Sequence, residues 1–500
     1  MKKDKATAEH NSTNRKEGFD LQALDLDFFS QLTYMAAIST SGIARGGLFQ
    51  YASRLPYIAA RYFRKADFVA RMFNHDYSRA CQIIGEKTKE TEVKALLLRL
   101  SGALSSGEGL PDFLERESEV FSESYENIYE RRLEILRRWS DAYIALILTS
   151  ALVTVMSVVS MMIGQVTAGF LLSLASMAIA VTIFGAWFMY HAAPRENRTH
   201  SLPYRSKEQN MARSIARITL AAGIVVFIFL VMNKVGLSWL MLAASALLFP
   251  LGVVAVIDDK KIGDKDTAIA GFLRSLGGVS QATGTTITEA MGRLDLRSLG
   301  TLKEDVNVLY TRLQAGIAPY LCWQRLVGET GSELINRTVR VFWDGVSLGG
   351  EPQRVGNEAS TFANKIALLR AHRKLIASGF TWLTVTMHTM MVILAVFIYN
   401  VFLSFSRLVQ TLMPESPSTE FYSLPFSGVL GDGGIHTPLL YTMIVAIVIV
   451  LSFANAFAIH SAGGGHLFKL AFYLSITLAI SGGAFIVVPP VVEMIFGIVK

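Results

Sequence analysis

Residue types that commonly carry enzyme chemistry are scattered along this chain rather than grouped. The sequence contains no G-x-x-x-x-G-K-[ST] motif and no Gly-Lys dipeptide, so it has no phosphate-binding loop of that kind. Neither H-E-x-x-H nor C-x-x-C occurs, which argues against a zinc site. Three glycines at 463–465 precede His466 without a supporting strand pattern, and a flexible turn is the favoured interpretation. We therefore expect no enzyme, no cofactor and no metal site.

One ionisable residue, His388, lies deep inside a long apolar run. Packing against a hydroxyl group is favoured over a proton relay. A transporter or channel, the alternative function for this chain, would place charged residues at mid-membrane, and the centres of the apolar runs hold none. A membrane enzyme such as a glycosyltransferase would need carboxylates or histidines grouped in a loop near the membrane. No such group is evident.

Two kinds of basic cluster remain as candidate binding surfaces. One set forms either a solvated helix face or a docking surface for an acidic partner: Arg293, Arg297, Lys303 and Arg312. The other set flanks two apolar runs and contacts either lipid headgroups or a partner: Arg131, Arg132, Arg137, Arg138, Arg370, Arg373 and Lys374. Nucleic acid is not an expected partner, because basic and acidic residues nearly balance in the polar segments, with 21 against 20 in residues 1–140.

The elements that would position these residues are dominated by apolar runs. Hydrophobic residues make up 51% of the 500 residues. They concentrate at 142–163, 167–190, 216–233, 237–257, 377–402, 438–459 and 470–489. A bilayer core of about 30 Å requires roughly 20 apolar residues per helix. We predict an all-α, polytopic membrane protein with about seven transmembrane helices.

Basic residues are distributed unevenly between the polar segments. If the N-terminal segment is cytoplasmic and seven spans follow, all but three of the 47 Lys and Arg residues lie on the cytoplasmic side. The exceptions are Lys234, Arg407 and Lys500. Because cytoplasmic loops carry excess Lys and Arg, we predict a multi-pass protein of the cell membrane with a cytoplasmic N-terminus and an extracytoplasmic C-terminus.

Two long polar segments with helical patterning resemble each other at an offset of about 242 residues. Ser41-Gly42 lies opposite Thr283-Gly284, residues 106–111 opposite 348–353, and Arg131-Arg132 opposite Arg373-Lys374. One constant offset indicates an internal duplication. Each copy ends in a long charged helix that continues into an apolar run without a helix breaker.

These observations predict two duplicated cytoplasmic helical-bundle domains. The predicted layout is a disordered tail at 1–20, a cytoplasmic domain at 21–141, four transmembrane helices in two hairpins at 142–257, a second cytoplasmic domain at 258–376, and three transmembrane helices at 377–500 with an extracytoplasmic loop at 403–437.

Several stretches resemble archaellum platform proteins, the archaeal branch of the type II secretion system F-domain family, which also includes type IV pilus platforms. The matching stretches in the second copy are 272–278, 282–286, 295–300, 329–337 and 348–352, with 380–383 in the following span. The first copy matches mainly through the repeat and through Tyr34–Gly42.

The resemblance implies a membrane platform beneath a helical filament. Such platforms bind a hexameric secretion ATPase in the cytoplasm, and they are thought to convert its motion into assembly of pilin-like or archaellin subunits and into rotation in archaella. The partners implied are this ATPase, the filament subunits, membrane lipids and a second copy in a homodimer. The set from Arg293 to Arg312 is then the candidate ATPase-docking surface. The resemblance leaves archaellum and adhesive pilus both open.

Overall fold

The structure is a computed structural model that describes residues 21–163, 168–194, 196–200, 204–233, 235–412 and 433–496. The predicted tail at 1–20 lies outside these ranges. The predicted extracytoplasmic loop at 403–437 lies partly outside them. Its first residues prove to be helical, because the preceding helix continues to Leu412, and the next helix already begins at Gly433.

The described residues form sixteen α-helices and no strand, which confirms the all-α prediction. The helices are α1 (Leu21–Ser39), α2 (Arg45–Ser53), α3 (Ala60–Met72), α4 (Tyr77–Lys87), α5 (Thr91–Ser106), α6 (Leu110–Ile163), α7 (Ala168–Ala192), α8 (Lys207–Met232), α9 (Leu237–Thr283), α10 (Ile287–Gly292), α11 (Lys303–Gln314), α12 (Pro319–Thr330), α13 (Glu333–Ser347), α14 (Pro352–Leu412), α15 (Gly433–Gly463) and α16 (Lys469–Phe496). A 3₁₀ helix spans Leu296–Leu302.

Seven of these helices are long and apolar enough to cross a membrane, as predicted. They are α6, α7, α8, α9, α14, α15 and α16. Helices α6 and α14 are 54 and 61 residues long. Each runs unbroken from the charged end of its repeat copy into an apolar span, as the sequence indicates.

The duplication is visible in the helix boundaries. Helices α2, α4, α5 and α6 begin at residues 45, 77, 91 and 110, and their counterparts α10, α12, α13 and α14 begin at 287, 319, 333 and 352, an offset of 242 in every case. The turns agree as well. Gly42 and Gly107 have φ of 70° and 77°, and their equivalents Gly284 and Gly349 have 62° and 91°. These left-handed conformations favour glycine and end the helices that precede them.

The chain divides into two compact units, and most of both repeat copies falls in the first, while residues 130–141, 258–262 and 369–376 belong to the second. The described residues of this unit are 21–129, 196–200 and 263–368. Its core buries large side chains from both copies, including Phe28, Phe63, Trp323 and Phe342. Helix α13 of the second copy packs directly on α1 of the first.

Buried polar contacts fix the packing of α13 on α1. Tyr34 Oη donates to Asp344 Oδ2 at 2.9 Å. The guanidinium of Arg337 forms an ion pair of 2.9 Å with Asp27, whose side chain is 8% exposed. Desolvation raises the pKa of Asp344 and that of Asp27. The two copies therefore share one core.

The described residues of the second unit are 130–163, 168–194, 204–233, 235–262, 369–412 and 433–496. Helix α15 packs against α7 and α16. Helices α9 and α16 approach so closely at Gly252 that an added Cβ would collide with the backbone of Phe472. Gly482 also lies close to α9, since its Cβ would come within 2.9 Å of Ser238 O. Small residues permit such close backbone contact between membrane helices.

Candidate functional site

The basic set of the second copy lies around α10, the 3₁₀ helix and α11. Thr286 caps α10 and Asp295 caps the 3₁₀ helix through side-chain bonds to backbone N–H groups, which sets where these short elements begin. Arg293, Arg297 and Lys303 are exposed on this stretch. Three cations therefore remain available for a partner on this surface, which we call the basic patch.

Arg312 behaves differently from the three cations of the basic patch. Its guanidinium forms two hydrogen bonds of 2.8 and 2.7 Å to the two carboxylate oxygens of Glu329. Such a bidentate pair neutralises the charge and fixes the side chain between α11 and α12. The structure thus separates Arg312 from the docking set in which the sequence placed it.

The juxtamembrane basic residues also divide into two classes. Arg131, Arg137, Arg138 and Lys374 are exposed, and Arg132 is half-buried. Arg370 and Arg373 are buried, with 9% and 2% of their surface exposed. For these two residues the expectation of a surface contact with headgroups or a partner is wrong.

Arg373 instead binds three backbone carbonyls inside the second unit. Its Nε donates to Ala462 O at 3.0 Å, its Nη2 to Ser461 O at 3.0 Å and its Nη1 to Pro194 O at 2.8 Å. Two of these carbonyls lie in the last turn of α15, where the helix leaves its carbonyl groups without internal partners. A cation there also interacts favourably with the helix dipole. Arg373 is therefore a cap that joins two helix ends.

The packing around Arg373 explains why positions 464 and 465 are glycines. Gly464 has φ of 64° and Gly465 has φ of 104°. A Cβ at Gly464 would lie 2.9 Å from Cζ of Arg373, and one at Gly465 would lie 2.7 Å from Oδ1 of Asp259. Asp259 is itself paired with Lys469 at 2.8 Å. The run is a closely packed turn over buried charges, which the sequence interpretation as a simple turn did not foresee.

His388 is the centre of a buried polar network in the membrane helices. Asn455 Nδ2 lies 3.1 Å from His388 Nδ1, and Tyr143 Oη donates to Asn455 Oδ1 at 2.7 Å. His388 Nε2 lies 3.1 Å from Thr477 O and 3.2 Å from Ser481 Oγ. A neutral tautomer protonated at Nε2 satisfies both ring nitrogens. The network joins α6, α14, α15 and α16, which supports the structural role over a proton relay.

The described residues contain no group of three His, Cys, Asp or Glu side chains that could hold a metal ion. The two cysteines, Cys81 and Cys322, are buried and not joined by a disulfide. Burial raises the pKa of the Cys81 thiol to about 12. A thiol with so high a pKa is a poor nucleophile at neutral pH.

One contact between equivalent positions escaped the sequence reasoning. Arg354 bonds Asp112 at 2.6 Å and Glu115 at 2.5 Å, and Arg354 and Asp112 are 242 residues apart. Lys365 pairs with Glu126 further along the same helices. Helices α6 and α14 therefore run side by side in parallel, and equivalent residues meet as they do beside a twofold axis. The repeat offset is the sequence signal from which this pair could have been found.

Fold and contacts together define a polytopic, all-α membrane protein with a duplicated polar bundle. Two curated proteins are similar to it. Flagella accessory protein J of Methanocaldococcus jannaschii is 26% identical over 303 residues, 58% of this chain and 54% of that protein. Flagella accessory protein J of Methanococcus voltae is 22% identical over 327 residues, 61% of this chain and 57% of that protein. The similarity confirms the resemblance to archaellum platform proteins.

The chain spans little more than half the length of the curated relatives it matches. No family model matches the chain. No solved structure matches it either.

Proposed function

We propose that this chain is the membrane platform of an archaellum or of a related pilus-like filament machine. The observation that supports this most directly is its similarity to two flagella accessory J proteins, together with seven apolar helices of membrane-spanning length. In this role the chain docks a hexameric secretion ATPase and couples ATP hydrolysis to assembly of pilin-like or archaellin subunits. It supplies no catalytic group of its own.

The orientation proposed is a cytoplasmic N-terminus in the cell membrane, with both repeat copies on the cytoplasmic side. The unequal distribution of Lys and Arg supports this orientation. The three N-x-[ST] acceptors, Asn11, Asn197 and Asn336, then all face the cytoplasm, and we expect none to carry a glycan. Mass spectrometry of the purified protein tests this, and a glycan on any of them would contradict the orientation.

The coupling proposed uses the two long helices. Helices α6 and α14 continue into apolar spans without a flexible linker, so a displacement applied to their polar ends is not absorbed by a hinge. The ion pairs of Arg354 and Lys365 hold the two helices together. A force on either copy is thereby shared between two spans.

We propose the basic patch as the docking surface for the ATPase, as the sequence analysis suggested. Reversing Arg293, Arg297 and Lys303 to Glu should weaken co-purification with the ATPase of the same organism, since cations at an interface contribute charge-assisted bonds. The matched control reverses Lys87, Lys89 and Lys94, three exposed lysines of the first copy, with the same change in charge. Equal binding by both variants would remove the basic patch as the docking surface.

A further inference from the structure

The segment between α7 and α8 lies against the second repeat copy. Helix α7 ends at Ala192 and α8 begins at Lys207, and both helices belong to the second unit. Residues 196–200 between them belong instead to the first unit, together with most of both repeat copies. We call residues 196–200 the connector.

Backbone atoms of the connector pair with the start of α13. Thr199 and Ser332 form an antiparallel bridge. Beside this bridge, Glu333 N donates to Arg198 O at 2.9 Å. Glu333 is the first residue of α13, so its N–H group has no acceptor within the helix. The connector therefore supplies an acceptor that α13 cannot supply for itself.

Buried side chains hold the same contact from both sides. Ser332, with 0% of its surface exposed, donates its hydroxyl to Asp266 of α9, which is 2% exposed. The Ser332 hydroxyl also accepts from Ile335 N at 3.2 Å and so caps α13. His200 of the connector is 9% exposed, and its Nε2 lies 3.4 Å from Gly328 O of α12. The connector is thus packed onto α12 and α13, and Ser332 joins this contact to α9.

The contact is built from residues that the first copy lacks. Asp266, Gly328 and Ser332 correspond, at the offset of 242, to Leu24, Glu86 and Glu90. A leucine cannot accept the hydroxyl hydrogen bond, and Glu90 makes no side-chain hydrogen bond as the cap of α5. Residues 86–91 are largely exposed, whereas the equivalent residues 328–333 are largely buried. The connector therefore fits the second copy and not the first.

Chain connectivity gives this contact a mechanical consequence. The second copy is continuous with two long apolar helices, α9 at its beginning and α14 at its end, and the first copy is continuous with α6. Residues 193–195 separate the connector from α7, and residues 201–206 separate it from α8. Because so few residues have a short maximum reach, these links leave little slack. A displacement of the connector is therefore passed on to the ends of α7 and α8.

We infer that the connector is a tether that passes movement of the second copy to α7 and α8. The second copy then acts on four of the spans, α7, α8, α9 and α14, whereas the first copy acts on α6. This inference rests on the proposed function, in which a cytoplasmic ATPase displaces the repeat copies. It deepens that function by making the second copy the one that moves most of the membrane helices.

Hydrogen exchange of the full-length chain in lipid nanodiscs tests the contact itself. The variant replaces residues 196–200 by Gly-Ser-Gly-Ser-Gly, which removes His200 and makes the segment lose more conformational entropy on binding. The Glu333 amide should exchange slowly in the wild type and faster in this variant. The internal control is the amide of Thr91, the equivalent first residue of α5, which should exchange at the same rate in both proteins.

Added slack tests the mechanical role. One variant carries Gly-Ser-Gly-Ser after position 195 and again after position 203, so that the connector and its contacts keep their sequence. Four flexible residues have a root-mean-square span of about 10–12 Å, enough to absorb a displacement of one helical turn. In the organism that encodes this chain, surface filaments counted by electron microscopy should be lost, while the ATPase still co-purifies with the variant as it does with the wild type.

The matched control carries the same eight residues after Val235, in the link between α8 and α9, and should form filaments in wild-type number. If the double insertion lowers the Tm or the membrane yield, either single insertion takes its place. Each single insertion should reduce the number of filaments, because it adds slack on the side of one span.

The outcomes separate this inference from the proposed function. If the slack variants form filaments in wild-type number, the tether is wrong while the platform role stands. Equal exchange of the Glu333 amide in the wild type and the Gly-Ser variant would also overturn the tether, because the connector would then not hold α13. Loss of filaments in the Val235 control would overturn it too, since slack in any link would be harmful. If deletion of the gene leaves filaments unchanged, the proposed function falls and the tether falls with it.

Discussion

The buried cap formed by Arg373 makes a quantitative prediction. Its guanidinium donates three hydrogen bonds to backbone carbonyls, at 3.0, 3.0 and 2.8 Å, and the side chain is almost fully buried. A hydrogen bond to a charged group contributes about 1.5–3 kcal/mol, and a buried carbonyl left without a donor costs about 1–3 kcal/mol. Taking the lower bound of about 1.5 kcal/mol for each of the three bonds, Arg373→Gln should lower the free energy of unfolding by about 4.5 kcal/mol.

Thermal unfolding of the purified protein in detergent measures this effect. A loss of 1 kcal/mol lowers Tm by about 2–4 °C in a body of 150–250 residues, so Arg373→Gln should lower Tm by about 9–18 °C. Arg373→Lys should fall between, because an ammonium keeps the charge but not the forked geometry. The matched control is Lys374→Gln, the exposed neighbour, which should change stability by less than about 0.5 kcal/mol.

A result in which Arg373→Gln is no less stable than Lys374→Gln would refute this reasoning. A second result would also refute it: added anionic lipid raises the Tm of the wild type but not that of Arg373→Gln. That pattern would indicate that Arg373 contacts lipid headgroups at the surface.

Three further predictions follow from the same unit and from the cysteines. Gly464→Ala and Gly465→Ala should each lower Tm measurably, because both residues have positive φ and an added Cβ would crowd Arg373 or Asp259. Gly463→Ala is the control, because the nearest atom to its added Cβ lies 3.9 Å away. Equal Tm values for all three variants would contradict the packed turn. His388→Ala should destabilise the protein by about 1–2 kcal/mol in thermal unfolding, the scale of polar contacts between membrane helices, and an unchanged Tm would show that the network does not hold the spans together. Cys81 and Cys322 should resist iodoacetamide at pH 8 in the folded protein and react in denaturant, because both are buried and the pKa of Cys81 is about 12; rapid labelling in the folded protein would contradict their burial.

The sequence predicts the architecture well where one physical signal dominates. Runs of about 20 apolar residues gave the seven spans, because the bilayer imposes that length. The duplication was visible at Gly42 and Gly284, because a left-handed helix end favours the same residue type in both copies.

The candidate sites were less predictable, because their contacts join residues far apart in sequence. In the sequence Arg373 looks like a surface cation beside Lys374, but its three partners lie 88, 89 and 179 residues away. In the sequence Arg312 cannot be distinguished from Arg293. Only the packing of α11 on α12 brings Glu329 next to Arg312. The local sequence shows that a side chain is basic, but it does not show whether that side chain is paired with a distant residue inside the fold.

The exposed apolar side chains of α3 were missed for a related reason. Phe68 and Met72 lie four residues apart on a helix, a spacing that normally indicates a core-facing stripe. The structure shows that the buried face of α3 is the other one. An exposed apolar stripe can be distinguished from a core stripe only once the packing is known.

The most direct test of the platform role is a count of surface filaments by electron microscopy in the organism that encodes this chain. Deleting this gene alone should abolish the filaments of one machine, and expression of the wild-type chain should restore them. The type of filament that disappears would also distinguish archaellum from adhesive pilus. Filaments that persist in normal number and length after the deletion would contradict the account.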